Sequence, residues 1–288
     1  MRTRVVVSFL LSVAACANQR PIESSPFAHA AYRRDLASLA TPPIPTDDAV
    51  AGELLRGAFA YCEQRRRVAL ENLANVLTWA YKRRVVRTST HDVVGADGVV
   101  FRVPFVESIE PTWTSGALEV SSRNLDLAID GEGFFAVHML DGSTAYTRAG
   151  SLQLNGDGKV VTGFGRPILP EITVPSDLLD LAVAPDGGFQ GRTAGSPDTV
   201  TMFGSITLHR FVNPAGLRSR SDGMWQPTEE SGAPVTGAPG QNGLGFVKQG
   251  FLERSNVQHH EELDELQLLE RQHAALLAAM QRLGPPTK

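Results

Sequence analysis

The sequence predicts an α+β protein: a mainly β central domain, with N- and C-terminal amphipathic helices that pair as a coiled coil. Three observations predict it. Apolar residues recur at helical spacing near the two ends of the chain. Gly-Asp and Asn-Gly pairs punctuate short apolar runs through the middle. No regular alternation of strand and helix patterns occurs, which argues against a Rossmann-type sheet.

At the start, "MRTRVVVSFLLSVAAC" sets Arg2 and Arg4 before an apolar run over 5–15 that ends in small residues. A basic start, a short apolar core and a small-residue exit are the parts of a secretory signal. Val13-Ala14-Ala15-Cys16 also resembles a bacterial lipobox. Residues 1–16 are therefore expected to be a lipoprotein-type signal, with Cys16 the lipidated first residue of the mature chain. Ala17 resembles sorting to the outer membrane. Two alternatives stay open: an ordinary signal peptide ending at Cys16, and a start codon placed too far upstream. Residues 17–51 carry Pro21, Pro26, Pro42, Pro43 and Pro45 among Ser, Ala and Thr, and read as an extended tether with a short helix over 29–39.

Residues 52–87 are expected to form the first helix and the motif that leaves it. Leu55, Phe59, Cys62, Ala69, Leu73 and Val76 follow 4-3-4-3 spacing through Arg66, whose aliphatic stem can lie along the stripe while its head stays wet. On that stripe Cys62 reads as a small buried hydrophobe rather than a nucleophile. Residues 257–288 mirror the pattern with Leu266, Leu269, His273, Leu276 and Met280, and Gly284-Pro285-Pro286 closes the helix. Each apolar stripe needs a partner, and the simplest is the other helix, in the same chain or a neighbouring copy. The clusters Arg65-Arg66-Arg67 and Lys82-Arg83-Arg84 read as solvated helix faces.

Residues 88–256 are expected to be an antiparallel β domain. Runs such as "VVFRVPFV", "FFAVHML" and "ITLHRFV" are separated by Ala96-Asp97-Gly98, Asp141-Gly142 and Asn155-Gly156-Asp157-Gly158. Within "NLDLAIDGEGFFAV", Asp130, Gly131 and Gly133 form an acidic, Gly-rich stretch that resembles a metal loop at first sight. A calcium loop of the EF-hand type needs several oxygen ligands and a distal Glu, whereas Phe134 to Val137 supply none. The stretch reads as a structural turn. "HHEELDE" places Asp264 four residues after His260, where a zincin helix needs a second His, so His259 and His260 read with Glu261 and Glu262 as the solvated start of the last helix.

The bulk numbers exclude little but point one way. The chain has 288 residues, a net charge of -4 and 42% hydrophobic residues, without the basic footprint of a nucleic-acid binder. Cys16 and Cys62 are its two cysteines, too few for a disulfide framework. No Gly-x-Ser-x-Gly elbow or phosphate-cradling loop is present. No catalytic residue, metal, cofactor or small-molecule substrate is expected.

"NLDLAIDGEGFFAVHMLDGSTAYTRAGSLQLNGDGKVVTGFGRPILP" closely resembles the central signature of the bacterial flagellar rod and hook protein family, and is most similar to its distal-rod members. "FVNPAGL", "GAPGQNGLGFVKQGFLERSNV" and "TWTSGALEVSSRNLDLAIDG" extend the resemblance. Upstream, "ENLANVLTWAYKR" is similar to a rod motif that usually reads Asn-Asn-Leu-Ala-Asn followed by Thr-Gly-Phe-Lys. Asn72, Leu73, Ala74, Asn75, Thr78 and Lys82 match it; Glu71, Ala80 and Tyr81 depart, in place of Asn, Gly and Phe. The likeness covers roughly 52–280 and is interrupted through 87–111.

The resemblance implies a structural subunit of the basal body that polymerises helically with itself and meets other rod, hook or ring proteins. Such a rod transmits torque across the periplasm. The lipoprotein-like leader departs from the family and supports the alternative of a lipid-anchored adaptor that binds the rod or its surrounding ring.

Overall fold

A computed structural model describes residues 48–220 and 223–283 of the chain. Cys16, the leader and the expected helix over 29–39 lie outside them. The described residues group into two units, one of 48–73, 84–110 and 259–283, the other of 74–83 and 111–258.

The first unit holds both helices, α1 (Asp48–Ala74) and α2 (His259–Leu283), and a hairpin of β1 (Arg84–Val94) and β2 (Val100–Pro111). Helix α1 begins four residues before the expected boundary at 52, and it stops at Ala74. Val76 therefore lies beyond the helix, in a run of turns, and not on its stripe. Leu55, Ala58, Cys62 and Ala69 of α1 share one apolar cluster with Leu269, Leu276 and Ala279 of α2, and Phe59 and Met280 pack against it. The hairpin lies against α1 at Gly57, where a Cβ would come within 2.5 Å of Val103 Cγ1 and 2.9 Å of the Pro104 carbonyl oxygen. Any other residue there would push the hairpin away. At the hairpin tip Gly98 takes φ +77°, and Asp97 accepts the Val99 N–H at 3.1 Å. That is the turn chemistry the Ala-Asp-Gly sequence encodes.

The second unit is antiparallel β-structure. It runs through β3 (Leu118–Val120), β4 (Leu127–Asp130), β5 (Phe134–His138), β6 (Thr144–Thr147), β7 (Leu152–Leu154), β8 (Val160–Thr162) and β9 (Ile168–Leu169). It continues with β10 (Leu178–Val183), β11 (Gly188–Thr193), β12 (Ser196–Ser205), β13 (Leu208–Arg210), β14 (Arg218–Ser219), β15 (Trp225–Gln226), β16 (Val235–Gly237), β17 (Phe246–Gln249) and β18 (Phe251–Glu253). The largest sheet has the order β14-β15-β6-β5-β13-β16, with β9 also paired to β5. Beside it stand a β10-β11-β12 meander and the pairs β17-β4, β18-β3 and β7-β8.

Strand β5 explains its own sequence. Phe134 and Ala136 enter one apolar cluster with Tyr146, Phe211 and Trp225. Phe135, on the opposite face, enters the main core with Leu127, Ile129, Phe189 and Leu208. A strand buried on both faces reads as a continuous apolar run instead of an alternating one. The expected domain of 88–256 is divided differently in the structure: residues 84–110 belong with the helices, and 74–83 with the β-body.

Candidate functional site

Three places gather the residues singled out in the sequence. The first is the seam between α1 and α2. Leu55, Leu269 and Leu276 are essentially water-free there, and Leu73 and Leu266 are half-buried at its margin. Cys62 is buried and its Sγ lies 3.4 Å from the Leu269 carbonyl oxygen, a packing position. Polar pairs border the apolar strip: Arg65 Nη2 to Glu265 Oε1 at 2.6 Å, and His273 Nε2 to Glu63 Oε1 at 2.5 Å, with the His273 ring 4.9 Å from that of Phe59. An apolar stripe flanked by polar pairs is the pattern by which two helices fix partner and orientation. Arg65 is thus engaged across the seam and not simply solvated. Arg66 is partly exposed and reaches Glu63 at 3.3 Å.

The second place is where the helices meet the hairpin. Asn72 is 1% exposed. Its Nδ2 donates to the Arg84 carbonyl at 2.9 Å and to Glu262 Oε2 at 3.2 Å, while its Oδ1 accepts the Arg84 N–H at 2.9 Å. One amide side chain therefore satisfies both backbone groups at the start of β1 and holds α2. Glu262 is buried, which corrects its reading as part of a solvated helix start; His259, His260 and Glu261 are exposed. Glu71, where the rod motif usually has Asn, pairs with Arg84 at 2.8 Å.

The third place lies within the β-body and was not legible in the sequence. Lys82, read as part of a solvated basic cluster, is buried with its Nζ 2.6 Å from Glu253 Oε1 and 2.9 Å from the Thr114 carbonyl oxygen. Arg148 meets the other carboxylate oxygen through Nε at 2.6 Å, and the Gly116 N–H donates to Glu253 Oε1 at 2.9 Å. Burial opposes the charge on Glu253, but Arg148, Lys82 and the Gly116 amide outweigh it and hold the carboxyl below its ordinary range. Burial lowers Lys82, with Glu253 drawing it back up and Arg148 pressing it further down. The geometry is that of an ionised carboxylate between two cations, since both oxygens of Glu253 accept from a cation and Oε1 accepts from a backbone amide as well.

Around this triad the chain is closely tied. The Ala80 N–H donates to the Glu253 carbonyl at 2.8 Å. Asn256 accepts the Arg83 N–H at 2.6 Å and donates to the Thr112 and Thr114 carbonyls at 2.8 and 3.0 Å. Asn75 and Thr78 form the turns in between, with Thr78 Oγ1 3.1 Å from Asn75 Oδ1. Ala74 is exposed.

Arg148 also answers the question posed by the acidic stretch. Its guanidinium donates to the carbonyls of Gly131 at 3.0 Å, Gly133 at 2.8 Å and Ile129 at 3.1 Å. Gly131 and Gly133 take φ +116° and +134°. The turn thus directs carbonyls inward to an arginine and carboxylates outward: Asp130 pairs with Lys248 at 2.6 Å, and Glu132 is exposed. Glu253, Arg148 and Asn256 were missed because ion-pair partners far apart in sequence leave no periodic trace. Their signal was a place inside stretches already quoted for the family resemblance, "AYTRAG" and "GFLERSNV".

Comparison with known proteins adds an independent line. Residues 128–190 match the family described as flagellar hook protein FlgE/F/G D1 domain. The chain is 34% identical over 218 residues to the flagellar basal-body rod protein FlgG of Agrobacterium fabrum, covering 69% of this chain and 82% of that one. It is 42% identical over 156 residues to FlgG of Buchnera aphidicola from Acyrthosiphon pisum, covering 54% and 60%. It is 28% identical over 214 residues to the rod protein FlgF of Salmonella typhimurium, covering 73% and 84%. The match spans 60% of the length of the Buchnera relatives.

Proposed function

We propose that this chain, which belongs to the flagellar basal-body rod protein family, is a distal-rod-like structural subunit that self-assembles into the axial rod and transmits torque across the periplasm. The observation that carries the reading is the apolar seam shared by the two terminal helices, with a β-body inserted between them in sequence. Paired as a coiled coil, such helices supply a stiff element, and their outer faces are available to neighbouring copies. The role is mechanical: seams and surfaces are matched, and no bond is made or broken. Other rod, hook or ring proteins are the further partners of this reading.

The alternative adaptor role, with a lipid on Cys16, has no support in the comparisons. Mass spectrometry of the mature N terminus tests the lipid itself: a diacylated Cys16 would support a membrane anchor, and an unmodified or absent Cys16 would remove it.

The rod reading is tested at the seam. Leu269→Asp or Leu276→Asp places an unpaired carboxylate in a water-free position and is expected to abolish assembly and motility. The β-body should retain its strand signal in circular dichroism. Normal swimming by both variants would overturn the seam as the assembly element.

A further inference from the structure

Each of the two helices carries a second stripe. A step of one residue from the seam moves roughly 100° round a helix, from the buried face to an exposed one. On α1 that step runs from Phe59, Arg66 and Ala69 to Ala60, Arg67 and Leu70. On α2 it runs from Glu262, Leu269 and Leu276 to Leu263, Glu270 and Leu277. All six residues of the second stripes are exposed, with Leu70 at 44%, Leu263 at 37% and Leu277 at 42%. The hairpin leaves them open, because it meets α1 at Gly57, on another side of the helix. Large aliphatic side chains exposed together on paired helices mark an interaction surface.

Charge and size say what fits there. Neither Arg67 nor Glu270 enters an ion pair among the described residues, in contrast to Arg65 and Glu265 across the seam. Ala60 lies one heptad before Arg67, and Leu277 one heptad after Glu270. Within the chain the helices run antiparallel, with Cys62 at Leu269 and Asn72 at Glu262. Copies that all point one way along a rod set α1 of one against α2 of the next in that same antiparallel sense. Opposing Arg67 to Glu270 then brings Leu277 level with Ala60, a large side chain over a small one, and Leu263 within a turn of Leu70. Two α1 stripes match less well, because their exposed cations are Arg56 and Arg67 while Glu63 is held by Arg66 and His273.

Resting on the rod reading, we propose that the second stripe of α1 in one copy packs antiparallel on the second stripe of α2 in a second copy, in the register that opposes Arg67 to Glu270. The seam joins the helices of one chain, and this contact joins chains. Each copy carries one stripe of each kind, as a repeating contact between unlike surfaces requires.

A charge exchange tests the register in the full-length chain. Arg67→Glu and Glu270→Arg are each expected to reduce sedimentable polymer about tenfold or more, the effect of reversing one side of a close interfacial pair. Combining them should restore assembly. Both positions are exposed, so the helical signal in circular dichroism should stay that of the unaltered chain. Single variants that assemble like the unaltered chain, or a double variant no better than either single, would overturn the proposal while leaving the rod reading intact. An unaltered chain that stays monomeric at every concentration would overturn both.

If a charge variant loses its helical signal, chemical cross-linking decides. With Cys16→Ala and Cys62→Ala in the background, an Ala60→Cys chain mixed with a Leu277→Cys chain should yield cross-linked dimers under a short bismaleimide. Neither chain should do so alone. No dimer from the mixture, or equal dimer from either chain by itself, would count against it.

Discussion

Ala80 holds a backbone that side chains disfavour. Its φ is +58°, the left-handed region, at the position where the rod motif usually has Gly. Such a conformation costs an L-residue roughly 1–2 kcal/mol, part of which Gly forfeits through its more flexible unfolded state. Ala80→Gly is therefore expected to stabilise the β-body by about 1 kcal/mol, seen as a higher urea midpoint. Glu253 sits at the other extreme. Removing it by Glu253→Ala strands Lys82 and Arg148 in a water-free site, a loss of about 3–5 kcal/mol measurable by the same titration.

Two buried groups contribute to the acid limit. Burial lowers His209 from its ordinary value of 6.5, so its contribution is complete above that pH and lost as pH falls through the lower folded value. Glu253 is likewise lowered, so its contribution is complete above 4.5 and lost as pH falls through the lower folded value, when its carboxylate takes up a proton. Melting temperature followed from pH 8 toward pH 3 should then fall in two stages, and His209→Gln should flatten the upper one.

At the scale of elements, the helices show what periodicity can and cannot deliver. The stripe of α1 was legible because 3.6-residue spacing is local, and so was the matching stripe of α2. Where α1 ends was not legible, since Val76 continues the spacing of Leu73 beyond Ala74, into turns that Asn75 and Thr78 stabilise. Leu276 is 0% exposed in the shared cluster, and Leu276→Ala is expected to cost about 2–5 kcal/mol, read from loss of helical signal in denaturant. Asn72 acts on the same elements through hydrogen bonds. Asn72→Ala would leave both backbone groups of Arg84 without their side-chain partner, a cost of about 1–3 kcal/mol for each group left unpaired.

At the scale of the whole molecule, each unit is built from segments distant in sequence. The β-body includes residues 74–83, joined to it through Lys82 and by backbone bonds to Glu253 and Asn256. A chain spanning 74–258 is accordingly expected to melt above one spanning 111–258, in which Glu253 keeps Arg148 but loses Lys82. Equal melting temperatures would show that the segment adds nothing to the stability of the body.

What the sequence determined by itself was everything carried by near neighbours. The turns at Gly98 and Asn155, the antiparallel strands between them, the two amphipathic stripes and the acidic Gly-rich turn all follow from backbone preference and spacing over a few residues. What only the tertiary structure decided was which charges go inside. Lys82 and Glu253 stand 171 positions apart, and nothing local distinguishes Lys82 from Arg83 and Arg84, the half-buried cations beside it. A buried charge is tolerable where its partner has been brought to it. That meeting depends on the completed fold, because desolvation and ion pairing are decided by neighbours in space.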